Sequence, residues 1–237
     1  MAIAISSVAD CDELFAALRS VDITVPLRTE GRTTYHAETW TICRLLSTLA
    51  HAQRLSFPVS LHHRDRPDFL VATGETQVGV EVTEAISEQY AAYSALAERE
   101  FPDVLLEPGH FRWGAPKLSV EEMRQLLRQT QLSAKPLMGD RPAREWAFFI
   151  LSVVNAKLTK LASLEFEKFD LNWLSIYDNL PLPTVHLEKG IAFLRPLLQD
   201  RWTRNPSFDA VYIEHGPVIA EISVAESNYL VLQDLWE

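Results

Sequence analysis

Cysteine is nearly absent: Cys11 and Cys43 are the only two in 237 residues. That is too few for a disulfide framework or a cysteine-based zinc site. Glycine is scarce too, with eight in the whole chain. None falls into a Walker or Rossmann pattern, and there is no Gly-x-Ser-x-Gly elbow, so a phosphate-cradling glycine loop and a serine-hydrolase turn are not expected. Long apolar runs are missing as well. The stretch 147–154 is among the longest, well short of the roughly 20 residues that span a bilayer. The opening MAIAISSVADCDE has no basic segment and soon turns acidic, so it does not read as a secretory signal. These absences predict a cytoplasmic chain with no membrane partner. No repeat of fixed period and no low-complexity segment occurs.

Positive charge is in short supply, and the formal net charge is −10. That opposes nonspecific attraction to nucleic acid, although a local basic patch can act on an acidic protein. Residues 112–144 form such a stretch, with Arg112, Lys117, Arg124, Arg128, Lys135, Arg141 and Arg144 against Glu121, Glu122 and Asp140. Residues 75–107 are acidic by contrast. The plain alternative for the basic run is a solvated helix surface.

What is present suits a packed core. The residues are 47% hydrophobic and 23% charged, as in soluble globular proteins. The length fits one large domain, read here as 1–237. A short helix is expected over 12–20, then an extended piece to Pro26. A stronger helix covers 36–55, where Trp40, Cys43, Leu46, Leu49 and Ala50 recur at helical spacing. Pro58 ends it and starts an extended run over 59–63. Residues 68–72 and 77–83 read as a hairpin around Thr73-Gly74-Glu75. In its second strand Val78, Val80 and Val82 share one face, and Gly79, Glu81 and Thr83 the other. Residues 86–141 look like a helical insertion, with helices over 87–101 and from Ser119 to about 132, the latter opened by an N-cap pattern. The longest helix is expected over 142–166, followed by a strand over 172–178 and a helix over 186–202. A hairpin at the end joins 208–214 to 218–224. This order of strands and helices predicts an α/β fold, a sheet with helices on its faces.

The residues that carry chemistry are Arg66-Pro67-Asp68 and Val80-Glu81-Val82-Thr83. Asp68 starts one strand and Glu81 lies on the next. Paired strands run about 4.8 Å apart, so the two carboxylates can converge at the open end of the hairpin. Carboxylate oxygens are hard ligands suited to Mg²⁺ or Mn²⁺, and the Val82 carbonyl can complete such a site. A carboxylate inside a valine-rich strand costs several kcal/mol unless it is paired or bound. The plainer readings are a turn residue for Asp68 and an exposed strand face for Glu81.

This arrangement, between a preceding and a following helix, resembles the PD-(D/E)XK nuclease superfamily, also called restriction-endonuclease-like. The likeness covers residues 36–178 apart from the insertion. It implies a core of a helix, three strands, a helix and a fourth strand, here with C-terminal additions. It implies that Asp68 and Glu81 are metal ligands and that Glu38, on the first helix, is an auxiliary one. The superfamily places a lysine two residues after the glutamate, and here that position is Thr83. A hydroxyl cannot supply the positive charge that orients or deprotonates the attacking water. Some relatives recruit the cation from the helix after the strands, which here carries Lys157 and Lys160. Lys157 is the preferred substitute and Lys160 the second.

Other residues read more simply. His62-His63, beside Arg64 and Arg66, is taken as an exposed strand end rather than a phosphate contact or proton shuttle. Cys43, Trp146, Phe148 and Phe149 are taken as core. Asp170, Asp178 and Asp209 are taken as turn or cap residues, and Glu214, His215 and Glu221 have no assigned role. The function expected from the likeness is a metal-dependent nuclease acting on nucleic acid, most simply DNA, and a homodimer would suit cutting of both strands. The competing expectation is a non-catalytic member of the same fold that binds nucleic acid or protein, favoured by Thr83 and the acidic charge. A third is an unrelated α/β enzyme, in which Asp68 and Glu81 would point to opposite sides of the sheet.

Overall fold

The computed structural model describes residues 3–129, 138–182 and 185–236, with the backbone alone at Arg28. Among them are six α-helices and one eight-stranded sheet, a mixed α/β architecture. The strands are β1 (Ala4–Val8), β2 (Val59–His63), β3 (Phe69–Thr73), β4 (Thr76–Ala85), β5 (Leu171–Asp178), β6 (Ala210–His215), β7 (Val218–Ile222) and β8 (Ser227–Val231). They lie side by side in sequence order. β1 to β4 form an antiparallel meander, β4, β5 and β6 are parallel, and β6 to β8 are antiparallel again.

Parallel neighbours need a crossover, usually helical. From β4 to β5 the chain passes through α3 (Glu88–Glu100), α4 (Val120–Leu127) and α5 (Arg141–Leu161). From β5 to β6 it passes through α6 (Leu187–Trp202). The other helices, α1 (Cys11–Arg19) and α2 (Thr34–His51), precede β2. Side chains alternate along a strand, so each central strand feeds two cores. Val78, Val80, Val82, Trp173 and Tyr212 join Ile42, Leu46 and Leu49 of α2. Ala85, Leu174, Ile176, Val211 and Ile213 join Trp146, Ile150 and Val154 of α5 and Leu194 of α6. The segment between β4 and α5 keeps a small cluster of its own around Tyr93, Phe111, Met123 and Leu127.

Local chemistry accounts for several boundaries. Asp10 caps α1 by accepting from the Glu13 N–H at 2.9 Å. The Thr33 N–H donates to His36 Nδ1 at 3.0 Å, so α2 starts at Thr34, two residues before the expected start. Ser119 and Glu122 form the capping box that opens α4.

The differences from expectation lie at ends and edges. α2 stops at His51 rather than 55, and α5 at Leu161 rather than 166. α4 ends at Leu127, not near 132, and residues 130–137, with Lys135, lie outside the described residues. The sheet extends past both expected limits. β1 pairs with β2 through Ala4↔His62 and Ile5↔Leu61, and β8 pairs with β7 through Ile219↔Leu230. Short edge strands like these have weak alternation and owe their state to the neighbouring strand. No described helix is long and apolar enough to cross a membrane.

Candidate active site

The site exists because β4 outruns β3. Phe69 pairs with Val80, so residues 81–85 have β5 on one side and no β3 strand on the other. The first free backbone N–H on that side, Val82, must find a partner. Asp68, just ahead of β3, supplies it: Oδ2 accepts from Val82 N–H at 2.7 Å. The gap between α2 and α5 beside this step is a cleft of about 340 Å³. Glu38 and Thr41 of α2, Asp68, Val82, Thr83 and Glu84, and Lys157 and Lys160 of α5 line it, with Arg32 at one end.

Glu81 lies on the α5 face of β4 and is fully buried. Its Oε1 accepts from Lys157 Nζ at 2.7 Å and from Lys160 Nζ at 2.8 Å. The Lys157 ammonium also donates to the Val82 carbonyl at 3.1 Å. One cation therefore bridges Glu81 and the Val82 carbonyl. The exposed-face reading of Glu81 is thereby excluded. Glu81 Oε2 is buried with no hydrogen-bond partner among the described residues, a costly condition for a carboxylate oxygen.

Asp68 is buried and pushed up to about 7, first by loss of water and then by the charges of Glu81 and, more weakly, Glu38. The Val82 N–H and Lys157 oppose that rise without cancelling it. For Lys160, partial burial works against the ammonium, yet the hydrogen bond and charge of Glu81 raise it above the ordinary lysine value. Glu38 faces the cleft and meets His63 Nε2 at 3.4 Å. Asp68, Glu81, Glu38, Lys157 and Lys160 are thus brought to one place from α2, the β2–β3 connection, β4 and α5.

Two further residues belong to this place and carried no clear signal in the sequence. Arg32, in the turn before α2, pairs with Glu84 at 3.0 Å. His63 is not a free strand end: it is half-buried, stands edge-on to Tyr35 and Phe69, and touches Glu38. Its strand register, His63↔Phe69, sets it beside Asp68. In the sequence His63 reads as an exposed strand end, set against a phosphate contact or proton shuttle.

The basic run behaves differently. Arg112 pairs with Glu145 at 2.6 Å through Nε, Arg124 with Glu100 at 2.9 Å, and Arg128 with Glu121 at 3.3 Å. Arg144 lies over the Phe193 ring at 4.1 Å. None of the described residues of 112–144 lines the cleft. Arg112, Arg124 and Arg128 are thus engaged in ion pairs, and the Arg124–Glu100 pair joins the basic stretch to the acidic one.

The remaining assignments divide. Cys43 and Trp146 are buried core residues, and burial pushes the Cys43 thiol up to about 12. Phe148 is instead exposed, stacked on Trp113 at 6.3 Å between centroids. Asp170 and Asp209 do not act as local turn or cap residues in these contacts: they accept the distant backbone N–H groups of Gln77 and Asn172, 93 and 37 positions away. Asp178 does more, joining the Trp146 indole N–H to His215 Nδ1 at 2.7 Å.

Among the described residues, no three carboxylate, histidine or cysteine side chains are grouped to hold a metal unaided. The donors present are hard oxygens: Asp68, Glu81 and the Val82 carbonyl. Mg²⁺ is commonly held by one or two carboxylates, with waters and substrate phosphate completing the shell. The partnerless Glu81 Oε2 and the oxygen-only donor set fit that chemistry. No protein-family model, no curated protein and no solved structure matches this chain.

Proposed function

We propose that the chain is a metal-dependent nuclease with a restriction-endonuclease-like core, hydrolysing phosphodiester bonds in nucleic acid. The observation that carries this is the contact of Lys157 with both Glu81 and the Val82 carbonyl. It delivers from α5 the positive charge that Thr83, two residues after Glu81, does not have. The element order α2, β2, β3, β4, α5, β5 supports the same reading, with α3 and α4 as the insertion.

In this reading Asp68, Glu81 and the Val82 carbonyl hold Mg²⁺ or Mn²⁺, with Glu38 as auxiliary. A bound divalent cation polarises a phosphoryl oxygen and makes its water a better nucleophile. The side chains do the rest. Lys157, held by Glu81 and the Val82 carbonyl, would supply positive charge to the phosphate or the attacking water. Lys160, more exposed, holds negative charge in the cleft. Arg32 stands at the cleft's end to meet the next phosphate.

The test is cleavage of duplex and single-stranded DNA by the full chain in Mg²⁺, Mn²⁺ or EDTA. Cleavage should need metal and fall by about 10² or more in Glu81→Gln and Lys157→Met. Parental rates in either variant, or undiminished cleavage in EDTA, would overturn the assignment.

A non-catalytic binding module on the same fold is favoured by the same contact read the other way. Lys157 already neutralises Glu81 and occupies the carbonyl that a metal would use. Mn²⁺ titration followed by EPR separates the two. Saturable binding that is lost in Glu81→Ala supports the nuclease, and no binding at millimolar Mn²⁺ supports the binding module.

A further inference from the structure

The cleft does not end at Arg32. Arg32 and Ala37 also line a second pocket of about 210 Å³, whose other walls are Val25, Trp40, Tyr177 and Asn179. The two spaces are neighbours by register: Glu84 of β4 pairs directly with Tyr177 of β5. We propose that this second pocket receives one unpaired nucleobase of the nucleic acid whose phosphate lies in the cleft. The proposal rests on the phosphodiester reading of that cleft.

Three features select a flat, hydrogen-bonding ring. First, the walls are aromatic. Trp40 and Tyr177 meet edge to face with centroids 4.7 Å apart. The Arg44 guanidinium lies over the Trp40 ring at 4.2 Å. Arg44 is not among the pocket's lining residues, so it supports the indole from outside and fixes its plane. Second, the volume is below the roughly 300–1,000 Å³ of sites that enclose drug-sized ligands, so it suits a single ring system. Third, the rim is polar. The Asn179 amide donates to Glu84 Oε1 at 2.7 Å, and Arg32 Nη2 donates to Glu84 Oε2 at 3.0 Å. Glu84 thus holds an amide and a guanidinium at the rim, and both present donors to a base edge.

Arg32 links the two spaces. One residue that faces both a phosphate cleft and an aromatic pocket can contact a nucleotide's phosphate and its base together. A base stacked inside a duplex cannot reach such a pocket, so the substrate is single-stranded, or is a duplex from which one base is extruded.

The test uses dAMP and deoxyribose 5-phosphate as probes on the full chain, with the indole N–H signal of Trp40 followed by NMR and identified by its loss in Trp40→Phe. The base should tighten binding about tenfold or more, as aromatic stacking does. The Trp40 signal should shift with dAMP and not with the sugar phosphate. Tyr177→Leu should reduce the advantage of dAMP and leave deoxyribose 5-phosphate binding unchanged. Equal affinity for the two probes would overturn the base pocket and leave the phosphate cleft standing. Tighter dAMP binding with an unmoved Trp40 signal would place the base elsewhere and also overturn it. Binding of neither probe would overturn both the pocket and the reading of the cleft on which it rests.

Discussion

Lys157 and Glu81, 76 positions apart in sequence, meet at 2.7 Å across the face of the sheet. Glu81 is wholly inaccessible and the Lys157 side chain is 17% exposed, whereas Lys160, on the same carboxylate oxygen, is 48% exposed. The difference in burial sets what each pair contributes. Removing one partner of a buried pair leaves a charge without water or counter-ion, and typically costs about 3–5 kcal/mol. An exposed pair is worth about 1 kcal/mol or less.

Lys157→Met should therefore destabilise the chain by about 3 kcal/mol, with Lys160 retaining part of the compensation. Lys160→Met should cost under about 1 kcal/mol. Adding Glu81→Leu to Lys157→Met should recover most of the loss. Urea unfolding of the variants measures all three. Equal losses for the two lysines would show that burial does not set the energetics here.

Thr83 lines the same cleft as Lys157 and lies on the Glu81 side of β4. If the missing strand lysine has moved to α5, then moving it back should rescue function. Lys157→Met should lower DNA cleavage by about 10²–10⁴, and Thr83→Lys in that background should restore at least part of it. Undiminished cleavage by Lys157→Met alone, or no recovery on adding Thr83→Lys, would contradict the substitution.

Glu214 predicts a pH dependence of stability outside the cleft. Burial pushes its carboxyl from 4.5 up to about 7, although Arg44 at 3.0 Å pulls the other way, and Asp234 on the same arginine adds to the rise. The folded chain then keeps a proton that the unfolded chain has already lost. The contribution to stability is complete below about 4.5 and is lost as pH rises through about 7. Glu214→Gln should remove this loss. Relative to the parent, the variant should gain on the order of 1–3 kcal/mol between pH 5 and pH 8. Urea midpoints at the two pH values check it, and parallel behaviour of parent and variant would contradict the buried proton.

Gly190 of α6 sits against the Trp146 ring. A Cβ there would lie 2.6 Å from Cε3 of that buried side chain. Helix propensity favours alanine by about 1 kcal/mol, but overpacking a core costs about 1–3 kcal/mol. Gly190→Ala should therefore lower the melting temperature and disturb the Trp146–Asp178–His215 contacts, visible as a change in tryptophan fluorescence. A higher melting temperature would mean that Trp146 yields freely.

The hairpin over β3 and β4 was legible because Gly74 and alternating valines carry the signal locally, and α2 and α5 because their apolar residues recur at helical spacing. Asp68 and Glu81 stood out for the same local reason, a carboxylate at or inside an apolar strand. β1 and β8 were not legible. Ser6 and Ser7 in one, and Asn228 in the other, blur the alternation, and these strands form because β2 and β7 offer unpaired backbone groups. The ion pairing of Arg112 and Arg124 was hidden for another reason: their partners Glu145 and Glu100 lie 33 and 24 positions away.

By itself, the sequence determined which residues are strand, helix and turn over most of the chain, because those states depend on neighbours within a few positions. It also determined the unusual residue types at 68, 81 and 83. Tertiary structure alone decided that Lys157 reaches Glu81, that Arg32 lines the cleft and His63 meets Glu38 beside it, and that Arg112, Arg124 and Arg128 are paired. Those outcomes depend on how far β4 runs past β3 and on where the α5 crossover returns. Contacts of that kind act between elements, and the spacing of residues along one element does not encode them.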